Sequence, residues 1–322
     1  MKLQVIIGKG WDPYWNLSVE NYLLEQPVDE TVTMYLWHNR RTVVIGRNQN
    51  PFAECNVEAL VADGGYLSRR MTGGGAVYHD EGNMNFSFVA PHSLYDQLRQ
   101  FEVMRQAVAS YGLSTELSGR NDVLCDGRKF SGNAFHKGRN HGLHHGTVLI
   151  GGNVSDMQRY LKTKPSKLQR HGVSSVRSRV VNLSELADVT VQNLMPRMVE
   201  AFEAVYGGKA VMVDYDAIMQ EDFVKRQHDV YASDEWLYGR WRNFESRCHG
   251  SWDWGDADVS LTVDESLGRI TSAVIASDSL HPEAVTAAEQ LLAGARVDEP
   301  PAFDHNGESG TIINDIISLI YK

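Results

Sequence analysis

Two arginines lead straight into three consecutive glycines in the run RRMTGGGAVYHDEGNMNFSF, residues 69–88. Glycine lets a backbone approach a ligand closely and point successive N–H groups at an anion, so such a loop beside arginine suits a phosphate. A tight turn uses the same residues, and for an isolated Gly-Gly-Gly the turn is the commoner role. Two familiar phosphate motifs do not fit. The pattern GxxxxGK[ST] is absent, and these glycines join strand to strand where a dinucleotide fingerprint joins strand to helix. A second stretch, VLCDGRKF (123–130), carries Asp126-Gly127, a strong signal for a two-residue hairpin turn. That turn pairs Cys125 with Arg128, Leu124 with Lys129 and Asp122 with Ser131, and alternation adds Asn133 to the face shared by Asp122, Lys129 and Ser131. A lone strand lysine is usually a solvated surface group. A carboxylate and a hydroxyl on its face make it a candidate for chemistry. His144 and His145 are adjacent on a strand-like run and point to opposite faces, which argues against joint metal binding: one lines a pocket and the other packs.

The elements that must hold these residues are readable in outline. A helix is expected from Asn16 through Leu24, ending before Pro27, followed by a hairpin of Thr31–Asn39 and Thr42–Arg47. YLSRRM (66–71) and NMNFSFVA (83–90) read as strands joined by the glycines. Tyr95, Leu98, Phe101, Met104, Val108 and Tyr111 recur at helical spacing up to a left-handed stop at Gly112. HHGTVLIGG (144–152) is a third strand, and Val191–Val205 a second long helix. Beyond a polar stretch near Asp229–Asp234, residues 258–264 and 269–278 read as a hairpin turning through Gly268, with helices over 282–297 and 310–321. The expectation is a sheet with helices on it, then a small α/β module.

Composition narrows the class. A chain of 322 residues with 42% hydrophobic and 22% charged residues is that of an ordinary globular protein of two domains. No apolar run approaches the ~18 residues of a membrane span. The N-terminal apolar stretch, Val5 to Ile7, is too short for a secretory signal, so a cytoplasmic location and no membrane partner are expected. A formal charge of −10 argues against nucleic acid as a partner. Cys55, Cys125 and Cys248 are odd in number and lack a CxxC pair, which argues against a disulfide framework or structural zinc. One segment is locally basic: Arg159, Lys162, Lys164, Lys167, Arg170, Arg177 and Arg179. It is either a solvated loop or a lid and docking surface for anionic partners, and the acidity of the rest favours the second reading.

Four runs in order, RRMTGGGAVYHDEGNMNFSF, GRNDVLCDGRKFSGNAF (119–135), HHGTVLI (144–150) and SVRSRVVNLSEL (175–186), resemble the lipoate-protein ligase family. WDPYWNLSVEN (11–21), VVIGRNQNPFAECN (43–56) and ITSAVIASDSLHPEAV (270–285) extend the resemblance over nearly the whole chain. It implies an α/β (α+β) fold: a catalytic domain like that of biotin ligases over 1–235, with a mixed sheet flanked by helices, and a small α/β accessory domain over 236–322. It implies activation of lipoic acid by ATP to lipoyl-AMP, with release of pyrophosphate. Transfer to a lysine of a lipoyl domain follows, either in a 2-oxoacid dehydrogenase complex or in the glycine cleavage H protein. Carried over by motif, Arg70, Gly75, Ala76, Val77 and Tyr78 would bind ATP, and Lys129 would contact both ATP and lipoate as the catalytic residue. A fixed ammonium between an attacking carboxylate and the α-phosphate reduces their repulsion and stabilises the charge that builds between them. Asp122 is a candidate Mg2+ contact, since magnesium at nucleotides takes one or two carboxylates plus phosphates, or equally a salt-bridge partner for Lys129. His145 would meet lipoate by motif position. Leu17 and Trp37 are candidates for its apolar tunnel and serve an ordinary core equally well. In the family the basic segment is a loop that closes over the adenylate.

Rival readings share the pocket or the fold. A lipoyltransferase fed with preformed lipoyl-AMP would use the same residues, although Arg70 and the intact glycine loop favour ATP use. A cysteine-dependent acyltransferase needs an activated thiolate. No cysteine lies between Cys125 and Cys248, and Cys125 faces away from Lys129. A lipoate-binding protein without chemistry would have kept the motifs for nothing. The chain departs from the family in EWLYGRWRNF (235–244), where Arg240-Trp241-Arg242 replaces a small residue and proline.

Overall fold

The computed structural model describes residues 1–118, 121–162, 180–238, 246–264, 269–297, 299–304 and 307–321. Most of the basic segment, the 235–244 departure beyond Tyr238 and the turn at Gly268 lie outside the described residues. The chain divides into two compact units: Met1–Val43, Asn56–Ser68 and Val77–Ser233 form the first; Val44–Cys55, Arg69–Ala76 and Asp234–Lys322 form the second.

The first unit is built on an eight-stranded mixed sheet. Its strands are β1 (Lys2–Ile7), β2 (Thr31–Trp37), β6 (Asn83–Pro91), β7 (Thr115–Ser118), β8 (Asp122–Cys125), β9 (Arg128–Lys137), β10 (His141–Leu149) and β11 (Ala210–Met212), in the order β11-β1-β2-β6-β10-β9-β8-β7. β1 runs parallel to β2 and β11, and the remaining pairs are antiparallel. Alternation sorts side chains onto two faces. Val32, Met34 and Leu36 of β2 with Met84, Phe86 and Phe88 of β6 form a dry core beneath helix Val191–Tyr206 and α2 (Gln97–Ala109). The opposite face carries Thr33, Tyr35 and Trp37, then Asn83, Asn85 and Ser87, then His145 and Thr147. Helix α1 (Pro13–Leu24) covers it, starting earlier than expected because Asp12 accepts the Tyr14 and Trp15 N–H groups and Pro13 suits a first helical position.

Two expectations fail on register. Thr31–Asn39 and Thr42–Arg47 do not form a hairpin. β2 is buried along its whole length and already pairs with β1 and β6, so neither of its edges is open to β3 (Thr42–Ile45). The chain turns through Arg41, at φ 39°, and β3 enters a separate three-stranded sheet of order β4-β3-β5, with β4 Tyr66–Arg69 and β5 Val77–His79. The β8-β9 hairpin does turn at Asp126-Gly127, both at positive φ, and pairs Cys125 with Arg128 and Leu124 with Lys129. Beyond that a β-bulge intervenes, so Val123 faces Ser131 and Asp122 faces Gly132. The extra residue lets Phe130, 1% exposed, enter the core. Ser131 and Asn133 follow it toward the core side, and Gly132 takes the place beside Lys129 expected for Ser131.

In the second unit, β12 (Ser246–Trp252), β13 (Gly255–Asp264) and β14 (Arg269–Ser277) make an antiparallel sheet. Helices Pro282–Leu292 and Gly307–Ile320 pack on it through Val259, Ile275, Val285, Leu292, Ile313 and Ile316. β12 carries no clear alternation in the sequence and is not among the expected strands. Among the described residues no helix is long and apolar enough to cross a membrane.

Candidate active site

On the first unit's polar face, Trp37, Asn85 and Thr147 lie opposite one another on β2, β6 and β10, and Gly132 lies opposite Asp122 on β9 and β8. The Gly132 N–H donates to Thr147 Oγ1 at 3.3 Å, which joins the two sets into one row. Lys129 Nζ reaches Asp122 Oδ1 at 2.6 Å. The ammonium lies over Gly132, where a Cβ would stand 2.9 Å from Nζ. Both partners of the ion pair are about a third exposed, 36% and 37%. Such pairs contribute ~0–1 kcal/mol, so the ammonium can exchange Asp122 for another anion at little cost.

The next row holds Tyr35, Ser87 and His145. His145 Nδ1 donates to Glu20 Oε2 at 2.7 Å, and the Ser87 hydroxyl donates to the same oxygen at 2.6 Å. Trp37 Nε1 donates to Ser87 Oγ at 3.0 Å. The indole is flanked by Tyr35, stacked at 6.0 Å, and by His79, edge-on at 6.2 Å. Leu17 is 3% exposed on α1, one turn before Glu20. Glu20 and Ser87 were missed in the sequence because nothing local to either residue shows that helix and strand meet. Asn85, 1% exposed, donates nothing through its Nδ2 among the described residues, although its oxygen accepts from Asn83 at 3.0 Å.

His144 turns to the other face, as strand alternation requires. It lies among Phe86, Phe88, Phe101 and Phe135, bonded to Gln100 at 3.1 Å and to Asn133 at 3.0 Å. Burial first, and then the neighbouring His145, push its pKa down to about 3, so it packs as a neutral ring. Among the described residues no group of three His, Cys, Asp or Glu side chains could hold a metal.

The glycine loop belongs to the second unit as far as Ala76. Arg70, 7% exposed, donates to the carbonyls of Gly73 (2.7 Å), Gly75 (2.8 Å) and Val44 (3.2 Å) and to Thr72 Oγ1 (2.9 Å). The guanidinium thereby gathers the loop's carbonyls onto one side. Gly74 donates to Ser279 O at 2.8 Å, and a Cβ on Gly73 would stand 2.0 Å from that oxygen, so only glycine permits the approach. Gly75 and Ala76 are half-buried. In the first unit, Val77 is half-buried and Tyr78 is buried, which with nearby carboxylates pushes the Tyr78 hydroxyl pKa upward.

Residues 12–203 match the lipoyl protein ligase A/B catalytic domain family. A lipoate-protein ligase A of Psychrobacter cryohalolentis is 34% identical over 307 residues, covering 93% of this chain and 90% of that one. Among solved structures, P. falciparum LipL1 in complex with lipoate has a TM-score of 0.85 at 24% identity, covering 99% of both chains. A lipoate-protein ligase A bound with ATP has a TM-score of 0.62 at 23% identity, covering 74% of this chain and 98% of that one. The β-structure that carries Lys129, Trp37 and His145 falls within the matched span, and the chain belongs to the lipoate-protein ligase A family.

Proposed function

We propose that this chain is an ATP-dependent lipoate-protein ligase that forms lipoyl-AMP with release of pyrophosphate and then passes the lipoyl group to a lysine of an acceptor lipoyl domain. The observation that carries the reading is Lys129. Its ammonium sits in a weak, part-exposed ion pair on a face that also buries Trp37 and His145. In the first step the lipoate carboxylate attacks the α-phosphorus, a new C–O–P bond forms, and pyrophosphate leaves with the electrons of the broken P–O bond. Lys129 lies between two anions and offsets the charge that accumulates there. In the second step the acceptor amine attacks the acyl carbon, AMP departs, and Lys129 stabilises the leaving phosphate. Arg70 acts by shaping the glycine loop, with Gly75, Ala76, Val77 and Tyr78 contributing to the nucleotide site. The lipoyl chain runs past Trp37 and His145, with Leu17 beside them.

A single part-exposed carboxylate, Asp122, fits a magnesium ion shared with substrate phosphates. Asp122 would hold the ion, which when bound would neutralise phosphate charge. The catalytic domain spans 1–235 and the accessory domain 236–322. A reducing cytoplasm fits the cysteine spacing. The test is lipoate-dependent exchange of labelled pyrophosphate into ATP, comparing native protein with Lys129→Ala before any acceptor is added. Exchange that requires lipoate and falls by at least ~100-fold in the variant supports the reading, taking the usual loss of one electrostatic donor as the scale. A folded native protein that shows no exchange, yet transfers from synthetic lipoyl-AMP, would be a transferase instead.

A further inference from the structure

We infer that Ser87 is a positioning residue that sets the shape of the acyl pocket by locking Trp37 to Glu20 and His145. The inference rests on the reading that lipoate crosses this face. Ser87 stands between Tyr35 and His145 in register, and its one hydroxyl is used in both directions. It accepts the indole N–H of Trp37 at 3.0 Å and donates to Glu20 Oε2 at 2.6 Å, an oxygen that also accepts the His145 Nδ1–H at 2.7 Å. All four side chains are buried: Ser87 at 0%, Trp37 at 3%, Glu20 at 4% and His145 at 6% exposure. The chain of bonds therefore spans β2, β6, β10 and α1 and fixes an indole and an imidazole relative to each other. The hydroxyl supplies orientation, because a buried indole N–H and a buried carboxylate left without it must turn to find other partners.

Ser87 lies one row away from Asn85 and Thr147, whose row continues to Gly132 and the Lys129 ammonium, so its removal has a defined kinetic signature. In lipoate-dependent pyrophosphate exchange, Ser87→Ala raises the KM for lipoate about tenfold, the scale of one buried hydrogen bond. The KM for ATP and kcat stay within about twofold, since uniform binding alone is lost. Ser87→Thr keeps the hydroxyl and restores the KM. Trp37→Phe removes the same bond from its other end and shows the same rise, and the double variant is no worse than either single one. Should Ser87→Ala fail to fold, Trp37→Phe against the native protein and Trp37→Ala carries the test. An unchanged lipoate KM in Ser87→Ala, a fall in kcat alone, or multiplying effects in the double variant would overturn the assignment. If Trp37→Ala also leaves the lipoate KM unchanged, lipoate does not cross this face and the underlying reading fails as well. If Trp37→Ala shifts it while Ser87→Ala does not, only the role of Ser87 is lost.

Discussion

Lys129 lies over Gly132 only because position 132 has no side chain. A Cβ there would be 2.9 Å from Nζ, 3.0 Å from Cε and 4.0 Å from Thr147 Oγ1. Non-bonded contacts relax at ~3.5–4.0 Å, so in Gly132→Ala the ammonium must retreat by roughly 0.5–1 Å. The retreat costs little stability, because the displaced atoms end a flexible chain whose ion pair is a third exposed. Gly132 is not among the residues at positive φ, so alanine fits its backbone and stabilises by ~0.4–1 kcal/mol through the unfolded chain. Catalysis is far less tolerant, since a misplacement of ~1 Å can cost ~100-fold. Gly132→Ala should therefore keep its Tm or raise it by a few degrees, while kcat for pyrophosphate exchange falls ~10- to 100-fold. Thermal unfolding and exchange kinetics on one preparation read both. Exchange within twofold of native would refute the idea that Lys129 works from over Gly132. A fall in activity matched by a fall in Tm would move the effect from placement to stability.

Asp122→Asn should leave Tm nearly unchanged, as a part-exposed pair predicts, and raise several-fold the Mg2+ concentration needed for half-maximal exchange; an unaltered Mg2+ dependence would leave Asp122 as the partner of Lys129 alone. The depressed pKa of His144 makes stability pH-dependent. In the unfolded chain the imidazole takes up a proton below ~6.5, whereas folded it stays neutral down to about 3, so stability falls as pH drops through this window. Between pH 7 and 5 this one group should remove about 2 kcal/mol, read from urea midpoints, and His144→Gln should flatten the slope by that amount. Gly73→Ala would drive a Cβ into the Ser279 carbonyl, so the loop must shift; a loss of ~1–3 kcal/mol in thermal unfolding, with a raised KM for ATP, is expected.

Local signals carried into the structure well. Asp126-Gly127 is a turn because both residues take positive φ, which this dipeptide tolerates, and α2 follows its apolar spacing to Gly112 at φ 78°. The strands 258–264 and 269–278 pair as their alternation suggests. What was not legible depended on partners distant in sequence. The β2 and β3 runs look like a hairpin until β1 and β6 claim both edges of β2, and β1 itself is too short a run to declare that claim. The bulge on β9 answers the core's demand for Phe130, which is decided by β8 and by the helices packed beneath it. Arg70 donates to carbonyls of its own loop and to Val44, contacts with no local signal in the sequence because they need Val44 brought beside it.

The two faces of the large sheet obey different rules, and the difference bears on function. A buried β-face fills most simply with valine and isoleucine, and the core side is largely apolar, with His144 entering as a neutral ring among phenylalanines beside Ser131 and Asn133. The opposite side buries Asn85, Ser87 and His145, each expensive to bury without partners. Ser87 and His145 are satisfied by each other's neighbours. The Asn85 amide is satisfied on one side only, with its Nδ2 unmatched among the described residues. Native folds leave few such groups, and those that persist are concentrated where something besides folding uses them. On this sheet the unmatched donor lies in the row between Trp37 and Thr147, beyond which Gly132 leaves space for the Lys129 ammonium. The polar face thus trades packing energy for a track of directed groups, while the dry face supplies the stability that makes the trade possible.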